Sequence, residues 1–354
     1  MDIAIEKSQD LKPKPEGEST LGFGRIFTDH IFKMNYTADK GWHNARIEPF
    51  KELCLHPAAS VLHYGQEIFE GIKAFYSQGD EILLFRPEDY ASRFEVSAER
   101  MCMPVIDHGE VVEAIKTLVD IDRGWVPKSD GTSLYIRPTM IATGKELGSH
   151  AASEYLFFII CAATGTYYSK GLKPLKLCVE EEYVRASHGG VGSAKTGGNY
   201  ARSFKAAEKA KKKGFEQVIW LDGNERKYIQ ESGAMNVLFV IGDKLCTPEL
   251  DGSILPGITR VSILQLARDM GIETEERKIS IDELLVVARA GELKEAFGSG
   301  TAAVVAPIGE ITYGGEKMVI NGGLTGPTTR KLYDALTNIQ RGNAPDVHNW
   351  LLKI

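Results

Sequence analysis

The sequence predicts a two-domain α+β protein, and three observations carry that reading. The chain has 354 residues, more than one small core organises. Its first half is mostly strand-like text interrupted by two helical patterns. After a turn-rich stretch near residue 170, strands and helices mix in a different order, which suggests a second domain with a barrel-like sheet and helices. The expected division is a small N-terminal domain over 1–166, a linker over 167–176 and a larger domain over 177–354.

Residues 1–20 are polar and lack any apolar period, which predicts a flexible arm or one draped over a partner surface. From Gly22 to Arg86 short apolar runs alternate with turn residues, the pattern of β-structure, with Gly79-Asp80 as a hairpin turn. Two helices follow, from Pro87 to about Arg100 and from Glu110 to Asp122; in the second, Val111, Ile115, Leu118 and Val119 share one face. Leu134 to Ile141 and Tyr155 to Ala163 read as strands.

The second half opens with the strand Leu175 to Val179 and passes through glycine-rich text into a basic helix, Tyr200 to Lys213, ended by Gly214. Strands are expected at Gln217 to Leu221, Arg226 to Gln230 and Val237 to Ile241. Three amphipathic helices come later: Ile258 to Met270, Ile281 to Ala290 capped by Ser280, and one after Thr325-Gly326-Pro327.

Composition narrows the function. Hydrophobic residues make up 43% and charged residues 25%, an ordinary globular balance, and the net charge of −6 offers no basic field for nucleic acid or anionic lipid. No stretch approaches the roughly 20 apolar residues needed to cross a bilayer. The five cysteines are scattered and never spaced Cys-x-x-Cys, which argues against a disulfide framework or structural zinc and for a reducing cytoplasm. Small-molecule chemistry is the class left.

The most unusual text is GGVGSAKTGGNY, Gly189 to Tyr200, in which Lys195 stands among small residues ahead of a helix. Small neighbours let a bulky ring approach the backbone. A lysine in a dry pocket is easier to deprotonate, and the neutral amine is what a Schiff-base nucleophile must be. On spacing alone a solvated loop lysine is the commoner outcome. A nucleotide fingerprint does not fit, because neither G-x-G-x-x-G nor G-x-x-x-x-G-K-[ST] is present.

Glu231 ends a strand-like run beside small residues, and a buried carboxylate there needs a cation such as a protonated pyridine nitrogen. Leu255 to Arg260 opens a helix whose first N–H groups suit a phosphate, and Gly298-Ser299-Gly300-Thr301 supplies flexible backbone and hydroxyls. Each feature alone is usually a strand end, a helix start or a turn.

These strings, together with FTDH at 27–30, LHYGQEIFEGIKAF at 62–75, SLYIRP at 133–138, ESGAMN at 231–236 and FGSGTAA at 297–303, resemble the branched-chain amino acid aminotransferases. The resemblance runs from about Gly22 to the carboxyl terminus. It implies a fold type IV pyridoxal-phosphate enzyme: a small α/β domain and a larger pseudo-barrel domain with helices. The activity it implies is reversible transfer of the amino group of L-leucine, L-isoleucine or L-valine to 2-oxoglutarate, giving branched 2-oxo acids and L-glutamate.

By the same resemblance Lys195 would carry pyridoxal 5′-phosphate as an internal aldimine and shuttle the substrate proton. Glu231 would pair with the pyridine nitrogen and Tyr200 with the phenolic oxygen. Arg93, Ile258, Thr259 and Thr301 would hold the phosphate. Phe23, Tyr64, Phe69, Tyr135 and Tyr167 would wall the substrate pocket, Arg137 would meet the glutamate γ-carboxylate, and backbone N–H groups at Thr301 and Ala302 the α-carboxylate. Leu147 and Ser149 lie in a loop that members extend into a neighbouring subunit, so a homodimer is implied.

Two departures stand out. Where animal members carry a redox Cys-x-x-Cys, this chain has Ala303 and Ala306, and Ala234 replaces a threonine found in some members. A D-amino acid aminotransferase or an aminodeoxychorismate lyase is the nearest alternative on the same fold. A non-catalytic phosphate-ligand binder is the rival from another class. A metal hydrolase is weaker, since His30, His43, His63 and His188 form no ligand spacing.

Overall fold

Alternating apolar text becomes long antiparallel ladders. Ser133–Ala142 pairs with Glu154–Thr164 over its whole length, from Ser133 opposite Thr164 to Ala142 opposite Tyr155. The computed structural model describes residues 1–15, 17–165 and 172–354. It divides the chain into two compact units, one of Met1–Ser169, Ala194–Gly197 and Ile339–Ile354, the other of Lys170–Ser193 and Gly198–Asn338. The segments 194–197 and 339–354, which the sequence reading assigns to the second domain, therefore pack with the first. Half of the expected linker 167–176, residues 167–171, lies outside the described residues.

The first unit is built on a 10-stranded sheet. Its main path runs Ala4–Ile5, Gly41–Pro49, His30–Thr37, Glu154–Thr164, Ser133–Ala142, Ile72–Tyr76, Ile82–Phe85 and Leu351–Lys353. The Ile72–Tyr76 and Ile82–Phe85 strands pair antiparallel, joined through Gly79 and Asp80, which both take positive φ as a tight hairpin requires. Helix Pro87–Arg100 has proline in its first turn, and helix His108–Ile121 starts at Asp107, whose carboxylate accepts from the Glu110 N–H. The second helix buries Val111, Val112, Ala114, Ile115, Leu118 and Val119, the face its period predicts. The first reaches the sheet through Phe94, whose ring lies 5.4 Å from that of Phe157.

The amino-terminal arm is docked on this unit, which corrects the expectation of a flexible or partner-draped segment. Ala4 and Ile5 pair in parallel with Arg46 and Ile47. The Ser8 N–H donates to His30 Nε2 at 2.9 Å, the Lys12 N–H donates to Asp29 Oδ1 at 2.9 Å, and the Lys12 ammonium lies 4.1 Å from the Phe50 ring centre. His30 is oriented in turn by Asp122, 2.7 Å from its Nδ1. Isolated backbone-to-side-chain bonds of this kind leave no period in the sequence.

The second unit carries a 9-stranded sheet whose pairings close on themselves. Ile229–Ser232, Gln217–Leu221, Leu175–Glu180, Val304–Tyr313, Leu293–Gly300 and Met235–Ile241 follow one another, and the last pairs back with the first. This ring is the expected pseudo-barrel. Helix Ile258–Asp269 and helix Ile281–Arg289, the latter capped by Ser280 Oγ on the Glu283 N–H, occur where predicted, as does Pro327–Gln340.

Two elements differ from expectation. The single helix over 200–213 is split into Gly197–Ala201 and Phe204–Lys212, with the Ser203 hydroxyl donating to the Tyr200 carbonyl at the break. The strand expected at Arg226 begins only at Ile229, because the Asp222 carboxylate gathers the N–H groups of Asn224, Glu225, Lys227 and Tyr228 into a turn. Among the described residues, no helix is long and apolar enough to cross a membrane.

Candidate active site

The residues expected to carry chemistry fall into two groups, one in each unit. In the first unit Lys195 lies on the short segment Ala194–Gly197, which is clamped on both sides. Its N–H donates to Ser97 Oγ at 3.0 Å and its carbonyl accepts the Phe69 N–H at 3.0 Å. Two residues on, the Gly197 N–H donates to Glu67 Oε1, so close that a Cβ at 197 would overlap that oxygen. A side chain there would displace the Glu67 carboxylate, a matter of approach rather than of φ. Lys195 Nζ lies 4.9 Å from the Phe69 ring centre.

Around it stands an aromatic and cationic cluster. Arg137 places its guanidinium carbon 4.6 Å from the Phe69 ring centre and donates to the Tyr135 hydroxyl at 3.1 Å. Phe23 meets Tyr135 edge to face at 4.9 Å. Arg137 Nε is buried and has no hydrogen-bond partner among the described residues, a donor available to an anion. Tyr64 is placed differently: its ring is exposed and its hydroxyl donates to the Leu147 carbonyl, not to the Phe23–Tyr135 pair. Tyr167 lies outside the described residues.

Arg93 is buried and makes a bidentate pair with Glu70, Nε to Oε1 and Nη2 to Oε2 both at 2.8 Å. That geometry fixes one edge of the fork against a carboxylate. The sequence reading gave no role to Glu70, Glu67 or Ser97. Glu67 lies inside a quoted string, but only register and contact reveal its part. Burial pushes the Glu67 carboxyl above the ordinary range, against the pull of the Gly197 N–H, the Arg137 charge and the Thr196 hydroxyl.

In the second unit the barrel places a polar row across its strands. Glu231 stands opposite Asn236, and Asn236 opposite Ser299, so the three share one face. Glu231 Oε1 accepts the Leu255 N–H at 2.8 Å, and Asn236 Nδ2 donates to the Leu255 carbonyl at 2.9 Å. These bonds dock the segment 255–257 and so aim the helix that begins at Ile258. A Cβ on Gly257 would overlap Asn236 Oδ1.

Helix Ile258–Asp269 starts with extended backbone at Gly257 and no side-chain cap, leaving its first N–H groups to an external acceptor. Thr259 is 3% exposed, and Ser299 Oγ is buried without a partner among the described residues. Thr301 and Ala302 form the turn between Leu293–Gly300 and Val304–Tyr313. Tyr200 lies on the short helix Gly197–Ala201, partly buried.

Glu231 also has a cation that sequence reasoning missed. Arg185 Nε lies 3.1 Å from Glu231 Oε2, with the two side chains 7% and 4% exposed. The contact is an ion pair without the alignment of a hydrogen bond. Arg185 also donates through Nη2 to the carbonyls of Gly192 and Ser253. Gly192 is pressed against the Ser253 carbonyl with no room for a Cβ, which accounts for one glycine of the run before Lys195. Arg185 sits in EEYVRAS, text with no periodic or motif signal.

The second unit gathers a buried carboxylate, an uncapped helix start and an orphaned hydroxyl, which suit an anion, and the first holds a clamped lysine beside aromatic rings. The family model described as amino-transferase class IV matches residues 67–311. Branched-chain-amino-acid aminotransferase 2 of Bacillus subtilis (strain 168) is 50% identical over 352 residues, covering 99% of this chain and 97% of that protein.

Among solved structures, the branched-chain amino acid aminotransferase of Thermobaculum terrenum in its PLP form aligns with a TM-score of 0.76 at 25% identity, covering 93% of this chain and 99% of that one. The T.th. branched-chain amino acid aminotransferase complexed with N-(5′-phosphopyridoxyl)-L-glutamate aligns with a TM-score of 0.71 at 27% identity, covering 90% and 97%. On the family match over residues 67–311 and the whole-length likeness, the chain belongs to the class IV amino-transferase family, among its branched-chain-amino-acid aminotransferases.

Proposed function

We propose that this chain is a pyridoxal-5′-phosphate-dependent branched-chain-amino-acid aminotransferase that exchanges the amino group of L-leucine, L-isoleucine or L-valine with 2-oxoglutarate. The observation that carries the reading is the two-sided clamp on Lys195, within a chain 50% identical over 352 residues to a branched-chain-amino-acid aminotransferase. When bound, the cofactor supplies an aldehyde that condenses with amines and a ring that accepts the electrons left when the substrate Cα loses its proton.

The chain's own groups do the rest. Lys195 Nζ would be the nucleophile that holds the cofactor and, as a free amine, would carry the substrate's Cα proton. The clamp on its N–H and carbonyl fixes the root of that side chain, so its reach is set by rotamers alone. Glu231, held by Arg185 and the Leu255 N–H, would pair with the pyridine nitrogen and favour its protonated form. Tyr200 orients the ring oxygen. Arg93 and the helix start at Ile258 and Thr259, with Thr301, hold the phosphate.

For substrate, Phe23, Phe69 and Tyr135 exclude water from an aliphatic chain, and Arg137 meets the γ-carboxylate of glutamate. The phosphopyridoxyl-glutamate complex of the T.th. relative supports glutamate as the second substrate. Backbone N–H groups at Thr301 and Ala302 meet the α-carboxylate. Tyr64 acts outside that wall, its hydroxyl fixing the exposed loop at Leu147, and two copies of the chain form the working dimer. Five unpaired cysteines fit a cytoplasmic enzyme.

Absorbance of the cofactor-loaded protein tests the reading. L-leucine should abolish the cofactor band near its visible maximum and 2-oxoglutarate restore it. A band that ignores L-leucine but answers a D-amino acid would keep the fold and overturn the substrate.

A further inference from the structure

One pocket that alternately takes an aliphatic chain and a γ-carboxylate has an electrostatic problem: a cation suited to the second is uncompensated beside the first. Glu67 is placed to answer it. The strand Glu67–Phe69 pairs antiparallel with Ser133–Ala142, Glu67 opposite Ile141 and Phe69 opposite Thr139. Side chains alternate along a strand, so Glu67 and Phe69 share the face that carries Tyr135 and Arg137. Arg137 rests over Phe69, and its charge acts on Glu67.

Glu67 is anchored from its other side. It accepts the Gly197 N–H and bonds the Thr196 hydroxyl, both on the segment that bears Lys195. Arg137 on the Ser133–Ala142 strand and Lys195 on the 194–197 segment are joined on this side by Lys73, which stands opposite Tyr135 with its ammonium pushed down to about 7 by burial and by Arg341, while Lys33, Arg46 and Glu48 share the face on strands beyond Glu154–Thr164. The neighbouring Glu70 is already paired with Arg93. Glu67 does not touch the reacting atoms assigned above. It stands between the lysine segment and the cation that reads the substrate side chain.

We propose that Glu67 is a proton-linked counter-ion of Arg137, ionised when a branched side chain fills the pocket and protonated when the γ-carboxylate of the second substrate arrives. This rests on the reading that Arg137 meets that carboxylate. With an aliphatic chain bound, the Glu67 carboxylate balances the guanidinium. With glutamate or 2-oxoglutarate bound, two carboxylates would share one guanidinium in a poorly hydrated place, where like charges resist ionising together. One proton from solvent then settles on Glu67, and it returns to solvent when the dicarboxylate leaves. Burial has already moved the Glu67 carboxyl toward the protonated form.

The test is calorimetric titration of the cofactor-loaded enzyme with glutarate and with 4-methylvalerate, in buffers of different ionisation heat and at several pH values. Wild type should take up more protons with glutarate than with 4-methylvalerate, by up to one per site. Its glutarate Kd should weaken by up to about tenfold per pH unit above the free-enzyme pKa of Glu67. Glu67→Gln, whose amide oxygen still accepts the Gly197 N–H, should abolish both differences.

Equal proton uptake for the two ligands in wild type, or an excess that survives in Glu67→Gln, overturns the proposal. Arg137→Met separates it from the reading beneath. If that change leaves the preference between glutarate and 4-methylvalerate untouched, the γ-carboxylate assignment falls. If the preference collapses while wild type shows no excess uptake, only the counter-ion role falls.

Discussion

Glu231 and Arg185 face each other across 3.1 Å with both side chains under a tenth exposed, and neither is satisfied by the other alone. Glu231 takes a second partner in the Leu255 N–H, and Arg185 spends Nη2 on the carbonyls of Gly192 and Ser253. The pair thus ties the strand end at 229–232 to both the glycine-rich segment and the lead-in to the helix at Ile258. A buried charge pair is costly to desolvate, so its persistence depends on these extra bonds.

Removing one partner should be worse than the pair's net contribution. Arg185→Met is expected to lower unfolding free energy by about 3–5 kcal/mol, because a buried carboxylate is left without its cation. Urea denaturation measures it. A loss under about 1 kcal/mol would mean that water reaches Glu231 freely.

Lys195→Ala should fold normally, since the bonds to Ser97 and Phe69 use the backbone of residue 195 and survive the change. Turnover of L-leucine should fall by roughly 10^4-fold, the upper range of positioned proton transfer. Stopped-flow absorbance with added methylamine offers a check: partial rescue by the free amine is expected.

Gly257→Ala should press its methyl group on Asn236 Oδ1 and shift the start of the helix at Ile258. Cofactor affinity should weaken about tenfold, near the 1.4 kcal/mol of a displaced anion site. Equilibrium dialysis of pyridoxal phosphate reads this directly. Unchanged affinity would place the phosphate elsewhere.

Glu70→Gln leaves Arg93 buried beside a neutral amide and should cost about 3 kcal/mol or more of stability. The double change Glu70→Gln with Arg93→Met should recover part of that loss, and thermal melts of the four proteins complete the cycle.

The Glu67 carboxyl sits above its ordinary range, so the native state binds that proton more tightly than the unfolded chain. By linkage, the contribution of this group to stability falls as pH rises from the ordinary carboxylate range through the native pKa, and is level above it. Glu67→Gln should remove this slope. Denaturation midpoints between acid and neutral pH would show a parallel profile in the variant if the group were not perturbed.

By itself the sequence determined the elements whose signal is local. Pro87 marks a helix start, Gly79-Asp80 a hairpin and Ser280 a cap, because each depends on residues within a few positions of one another, while the strings around Lys195 and Glu231 pointed to the chemistry through their resemblance to a family. Only the tertiary structure decided the rest. The carboxylate on which the Arg137 charge acts, the cation beside Glu231, the docking of Ala4, Ile5, Ser8 and Lys12 and the return of 339–354 to the first unit all join positions far apart in the chain. Even glycines of one run answer to different neighbours, Gly192 to the Ser253 carbonyl and Gly197 to the Glu67 carboxylate. Burial, register and charge pairing belong to surfaces that meet on folding, and a linear pattern carries no record of what will face it.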